Sequence, residues 1–179
     1  WGHIDRPANA VRLGGSGGGH MRFDNFGWLD VARRAPTLNF TAGSLPPELI
    51  VMHYTASYDA ASPIRSFQNP LSKASAHFVV DVDGGITQLV SIRDDAWHAG
   101  GGVYKGRDTV NSFAVGIEIV NPGYHFSDGD GGFLNWERKP VAKALLKPFP
   151  GMVEAQDQWV GSWKQYWPKF PEKQLAAVQ

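Results

Sequence analysis

The chain reads as an α/β domain with a mixed central β-sheet flanked by helices. Three observations predict this. Runs with strand character recur at Glu48–His53, Ser75–Val82, Ile86–Ser91 and Ser112–Asn121, and segments with helical cues are interspersed among them, the mixed order of an α/β architecture. Glycine (21) and proline (12) are abundant, which favours a loop-rich α/β protein over a helical bundle. The 179 residues suit one domain with or without an appendage, and 42% apolar residues are enough for a sizeable core.

The elements follow in order. Residues 14–21 read GGSGGGHM. Gly14–Gly19 has the composition of a flexible linker, and His20-Met21 reads as a cloning scar followed by a start methionine. The expected organisation is an attached or permuted peptide at 1–13, an engineered joining segment and scar at 14–20, and the domain proper at 21–179. His20 is set aside as a site residue. From Met21 to Pro47 turn residues dominate, with one short helical candidate at Trp28–Arg34. Glu48–His53 is a short apolar run, expected to be a buried strand. Ser62–Asn69 suits a turn of helix. Ser75–Val82 alternates and is β-branched, Asp83-Gly84-Gly85 is a hairpin signal, and Ile86–Ser91 returns. Asp94–Gly102, DDAWHAGGG, is a glycine-rich loop. Ser112–Asn121 is a strand with small residues, broken by Pro122-Gly123. Residues 123–140 read as a long polar loop. Val141–Pro150 and Trp159–Phe170 show no clear period. Pro171-Glu172 followed by KQLAAVQ opens a helix with proline at its first turn.

Charge narrows the function. Lys+Arg and Asp+Glu are both 17, which argues against a nucleic-acid binder that works by neutralising phosphates. Without cysteine there is no disulfide and no thiolate zinc site. No apolar run approaches the roughly 20 residues that span a bilayer, and no signal peptide is legible at the start.

Two residues look costly unless they work. His53 ends an apolar run, IVMHYTAS, where an imidazole must find a partner, and a metal is one such partner. Glu118 sits in VGIEIV. By strand alternation it faces away from Ile117 and Ile119. It is either an outward residue on a solvated sheet face or a general base lining a cleft. His77, His98 and His125 are the remaining domain histidines, each by itself compatible with a structural role.

The ordered segments IVMHYTAS, ASAHFVVDVDGGITQLV, DAWHAG and NSFAVGIEIVNPG resemble the zinc-dependent N-acetylmuramoyl-L-alanine amidases of type 2, relatives of phage T7 lysozyme and the peptidoglycan recognition proteins. The resemblance runs from about residue 48 to 123 and continues weakly into WPKFPEKQLAAVQ. It implies that family's mixed-sheet fold, a Zn2+ cofactor, and hydrolysis of the amide between N-acetylmuramic acid and L-alanine in peptidoglycan or muropeptides. His53 matches the first zinc ligand and Glu118 the catalytic glutamate. Trp97 and His98 match a segment lining the substrate groove. His77 matches a strand histidine that is not usually a ligand, and Tyr54 and Asn121 lie beside the site. The family's remaining ligands follow its final helix in a G-H-x-D segment and a later K-x-D-P-G. Gly2-His3-Ile4-Asp5 matches the former. His3 is then the second ligand, and Arg12 stands near the place of the oxyanion-holding lysine. The third ligand has no clean counterpart, with Asp5 a candidate by proximity. The implied partner is peptidoglycan or a muropeptide, with no nucleic acid and no membrane span. A second chain or peptide completing the site is the other implied partner. The envelope, periplasm or exterior is favoured over the cytoplasm. The alternatives are a non-catalytic peptidoglycan-binding module, an incomplete amidase fragment, and an α/β domain in which His53 and Glu118 are structural.

Overall fold

The computed structural model describes residues 21–155 and 164–179. Its strands are β1 (Arg33–Arg34), β2 (Phe40–Thr41), β3 (Leu49–Tyr54), β4 (Phe78–Val80), β5 (Ile86–Gln88), β6 (Asp95–Ala96), β7 (Ala114–Ile119), β8 (Phe126–Ser127), β9 (Phe133–Leu134), β10 (Met152–Ala155) and β11 (Gln165–Pro168). Its helices are α1 (Ala61–Gln68), α2 (Lys143–Leu146) and α3 (Glu172–Ala177). The central sheet has the order β1-β5-β4-β7-β3. β4 and β5 form an antiparallel hairpin, and the other pairings are parallel, so the sheet is mixed, as the sequence predicts. No helix among the described residues is long and apolar enough to cross a membrane.

The hairpin forms where Asp83-Gly84-Gly85 places it. Gly84 takes φ +87°, and a Cβ there would stand 2.7 Å from the Lys173 carbonyl oxygen, so the turn needs glycine twice over. In the returning strand the buried side chain of Gln88 donates to the Gly27 and Val90 carbonyls and accepts from the Leu29 amide. It pins the N-terminal segment to the sheet.

One face of the sheet carries most of the core. Ile64 of α1 and Ala60 just before it pack with Val79, Leu89, Val90, Ala96 and Val120. A second cluster, Val110, Phe113 and Ala114 with Leu49, Val51 and Ala99 packed on it, lies toward the start of β3 and β7. At the C-terminal ends of β4 and β7, Gln174 of α3 donates to the Val80 and Val120 carbonyls.

Several sequence expectations are corrected. Trp28–Arg34 is not helical. Asp24 accepts the Phe26 and Trp28 amides, a local turn that competes with helix, and Arg33–Arg34 pairs with β5. β3 is not a buried strand: Ile50 is 68% and Met52 63% exposed, because β3 is the outer strand of the sheet and one of its faces is uncovered among the described residues. The strands at Ser75–Val82 and Ser112–Asn121 are shorter than expected. Ser75 spends its hydroxyl on the Asn39 carbonyl and the Trp97 amide, and Val110–Phe113 is a 3-10 turn. The polar loop at 123–140 contains the β8–β9 hairpin, whose turn Asp128 stabilises by accepting the Asp130 and Gly132 amides.

Candidate active site

Parallel pairing of β3 with β7 sets His53 directly opposite Glu118, and residues opposite one another share a face of the sheet. Both sit on the face that holds the core, between its two apolar clusters. Burial dominates their electrostatics. It holds the half-buried His53 ring below its ordinary pKa, so the ring is a neutral donor of lone pairs. It raises the Glu118 carboxyl to about 7. Glu118 Oε2 is buried and has no hydrogen-bond partner, an arrangement a fold tolerates poorly unless the atom has work to do.

His98 joins them from the loop after β6. Its backbone amide and that of Ala99 donate to Asn111 Oδ1, at 3.1 and 2.8 Å. Its ring lies against Gly116 of β7, where a Cβ would fall 2.4 Å from the imidazole Cγ. The glycine is the seat for the ring. His98 Nε2 donates to the Ala114 carbonyl at 3.4 Å, which leaves Nδ1 as the acceptor of a neutral imidazole. That Nδ1 faces His53 Nε2 at 3.2 Å. Burial, then the neighbouring His77, lowers the His98 pKa to about 4.

His77 stands behind His98, with ring centroids 5.9 Å apart. It is buried; Nε2 donates to the Asp94 carbonyl and Nδ1 accepts the Gly116 amide, both at 3.0 Å. Burial drops its pKa to about 4. Both ring nitrogens are thus engaged within the fold, and His77 braces β7 against the Asp94–Gly102 loop. Asn121 is likewise engaged within the fold. It is buried, donating to the Pro168 carbonyl and accepting the Gly123 amide. Tyr54 follows His53 in the strand and so points to the opposite face. There it packs edge-on against Trp167, 5.6 Å between centroids, and lines a cavity of about 190 Å³ with Ala56, Pro122, Gly123, Tyr124 and Trp136. The Trp97 indole donates to Thr41 Oγ1. His125, buried, donates from Nδ1 to the Gly123 carbonyl and accepts the Tyr58 hydroxyl. His3, Asp5 and Arg12 lie outside the described residues.

The residues brought together are thus His53, His98 and Glu118. Sequence reasoning missed Asn111 and the role of Gly116. A glycine inside an apolar strand was a usable signal; nothing around Asn111 announced it. Among the described residues no three metal-capable side chains form a complete cluster. The paired imidazole nitrogens and the orphaned carboxylate are donor types that suit a borderline divalent cation such as zinc.

Comparisons with known proteins bear on the chain's family and fold. A family model described as N-acetylmuramoyl-L-alanine amidase matches residues 43–179. The 1,6-anhydro-N-acetylmuramyl-L-alanine amidase AmpD of Haemophilus influenzae is 47% identical over 90 residues, 50% of this chain and 46% of that protein. AmpD of Escherichia coli is 30% identical over 112 residues, 52% of this chain and 61% of that protein. The alignments therefore span about half to three fifths of the curated relatives' length. A crystal structure of a selenomethionine AmpD derivative superposes with a TM-score of 0.50 at 30% identity, covering 56% of this chain and 66% of that one.

Proposed function

This chain belongs to the N-acetylmuramoyl-L-alanine amidase family, and from that premise we propose that it hydrolyses the amide between the lactyl group of N-acetylmuramic acid and L-alanine in peptidoglycan or muropeptides. The family is one of metal-dependent amidases. The observation that carries the reading is Glu118: a part-buried carboxyl whose Oε2 is buried and unpartnered, raised to about 7 and set opposite His53.

The roles follow from the chemistry of the side chains. His53, neutral because it is desolvated, is a zinc ligand. A bound zinc ion would polarise the scissile carbonyl and bring the pKa of water toward 7. Glu118 takes a proton from the attacking water and passes it to the departing L-alanine amine. A carboxyl that titrates near 7 does both in turn at neutral pH. No serine or cysteine nucleophile is required. The apolar clusters on either side keep bulk water from the carboxyl and strengthen its interactions.

We extend the proposal to residues 1–13. Gly2-His3-Ile4-Asp5 reads as a relocated G-H-x-D segment, with His3 a further ligand and Arg12 the cation for the oxyanion, joined through 14–20 to the domain at 21–179. In support, β3 is the outer strand of the sheet among the described residues, so another segment can reach His53 without displacing β7. Tyr54 and Trp97 remain proposed contacts for more distant parts of the substrate. Intact peptidoglycan as substrate would place the protein at the envelope or outside the cell.

The test is mass spectrometry of a purified muropeptide incubated with the zinc-loaded chain. Release of a peptide with a free L-alanine amino group is expected, with turnover about 10²–10⁴-fold lower in Glu118→Gln. Muropeptide binding without cleavage would replace the hydrolase with a binding module. Deleting residues 1–13 should lower the zinc content; unchanged content refutes the relocation.

A further inference from the structure

Resting on the amidase reading, we propose that the aromatic cavity beyond Tyr54 is a subsite for one further pyranose ring of the glycan strand, apart from the sugar that carries the scissile amide. His53 and Glu118 are the second-last residues of β3 and β7, which run parallel. Tyr54, Ala56, Pro122 and Gly123 of the cavity wall follow just after them in the chain. Ligands of open α/β sheets bind outside the carboxyl ends of the strands. The cavity and the catalytic pair therefore share one rim of the sheet, although the Tyr54 ring leaves it on the face away from His53.

The wall is held in place. Gly123 takes φ +79°, and a Cβ there would fall 2.8 Å from Tyr54 Cε2, so glycine makes room for the ring. Tyr54 stands edge-on to Trp167, which lies 5.7 Å from Tyr124 between centroids. Ala56 holds φ +51°, and backbone strain of this kind gathers at ligand clamps. Trp136 sits on a locked turn: Asn135 Oδ1 accepts the Glu137 and Lys139 amides at 3.0 and 2.9 Å, and the Asn135 carbonyl accepts the Arg138 amide. Yet Trp136 is 61% and Tyr54 46% exposed. Large rings held firmly and left in water mark a contact surface rather than a core. The lining selects the occupant. Tyr54, Tyr124 and Trp136 offer ring faces with hydroxyl or N–H groups at their edges, and none of the six lining residues is charged. A stem peptide with free carboxylates finds no counter-charge in that lining. A neutral pyranose fits: its C–H face packs on a ring, and its hydroxyls reach the ring edges and water. The cavity of about 190 Å³ holds about six waters at ~30 Å³ each, room for a single sugar ring and not for an extended chain.

The test uses the full chain and a soluble β-1,4-linked tetramer of N-acetylglucosamine, which has no lactyl amide to cut and no stem peptide. In ¹⁵N NMR the Trp136 indole N–H should shift saturably as the oligosaccharide is added. By calorimetry Trp136→Ala should bind it roughly tenfold more weakly, a loss of about 1.4 kcal/mol. Trp136→Phe, which keeps a ring face, should recover part of that loss. Trp136 is exposed, so its removal leaves the fold intact, and circular dichroism checks this. A Trp136 indole that does not respond, an affinity equal in Trp136→Ala and wild type, or a response to free stem peptide in place of the oligosaccharide overturns the subsite. No arm needs metal or hydrolysis. Oligosaccharide binding at Trp136 in a chain that leaves muropeptide intact defeats the amidase reading and not this one. Muropeptide cleavage with a silent Trp136 does the reverse.

Discussion

Glu118 decides the chemistry at the scale of a residue. Its folded pKa of about 7 lies above the ordinary value of 4.5, through burial. The unfolded chain releases this proton from about pH 4.5 upward, the folded chain only near 7. The folded state therefore binds more protons across that window, and this group's contribution to stability falls as pH rises through it. Glu118→Gln removes the ionisation. Metal-free Glu118→Gln is expected to have a higher denaturation midpoint than wild type at pH 8 and a similar one at pH 4.5, measured by chemical denaturation. His53→Ala should lose zinc by metal analysis, and full occupancy in that variant would take His53 off the ligand list. Both residues were legible beforehand, because each is a polar group in an apolar strand and such a group must be explained. Gly116 was half legible. Its place inside a strand was visible, but not that a ring 18 positions earlier rests on it.

At the scale of elements, the site depends on two strands held in register and one loop docked on them. Asn121 ties the end of β7 to β11 through the Pro168 carbonyl and to its own turn through the Gly123 amide. Asn121→Ala leaves both groups buried without a partner. It should cost about 1–3 kcal/mol in a denaturation curve, with zinc affinity little changed, since the residue braces the site rather than entering it. Undiminished stability would show that water replaces both bonds. The register of β3 against β7 was not readable, because pairing is a long-range choice and a slip of one residue would send His53 to the other face. Trp28–Arg34 went wrong for a local reason: Asp24 captures the amides that would begin a helix. The β8–β9 hairpin was hidden because its strands are two residues each, too short for a period to show.

The whole molecule should be acid-sensitive. His77 and His98 are both held neutral by burial, with folded pKa values of about 4 against 6.5. Between those values the unfolded chain binds more protons than the folded one, so stability falls as pH drops from about 6.5 toward 4. Thermal unfolding of the metal-free protein followed from pH 7.5 to 4.5 should show a falling midpoint, and His77→Gln should flatten part of that slope if it folds. A flat profile in wild type would mean that the two rings contribute no more than the opposing effect of Glu118. The uncovered face of β3, with Ile50 and Met52 exposed, belongs to the same scale: an apolar run does not say whether both its faces will be covered.

The amino-acid order was sufficient for the α/β class, the hairpin at Asp83-Gly84-Gly85, and the suspicion on His53 and Glu118, since local sterics and the cost of burying polar groups act on neighbours in the chain. Tertiary structure alone set His53 opposite Glu118, turned Tyr54 and Asn121 away from them, and brought His98 Nδ1 within 3.2 Å of His53 Nε2. Those placements come from strand pairing and side-chain packing between segments tens of residues apart, and no local pattern encodes them.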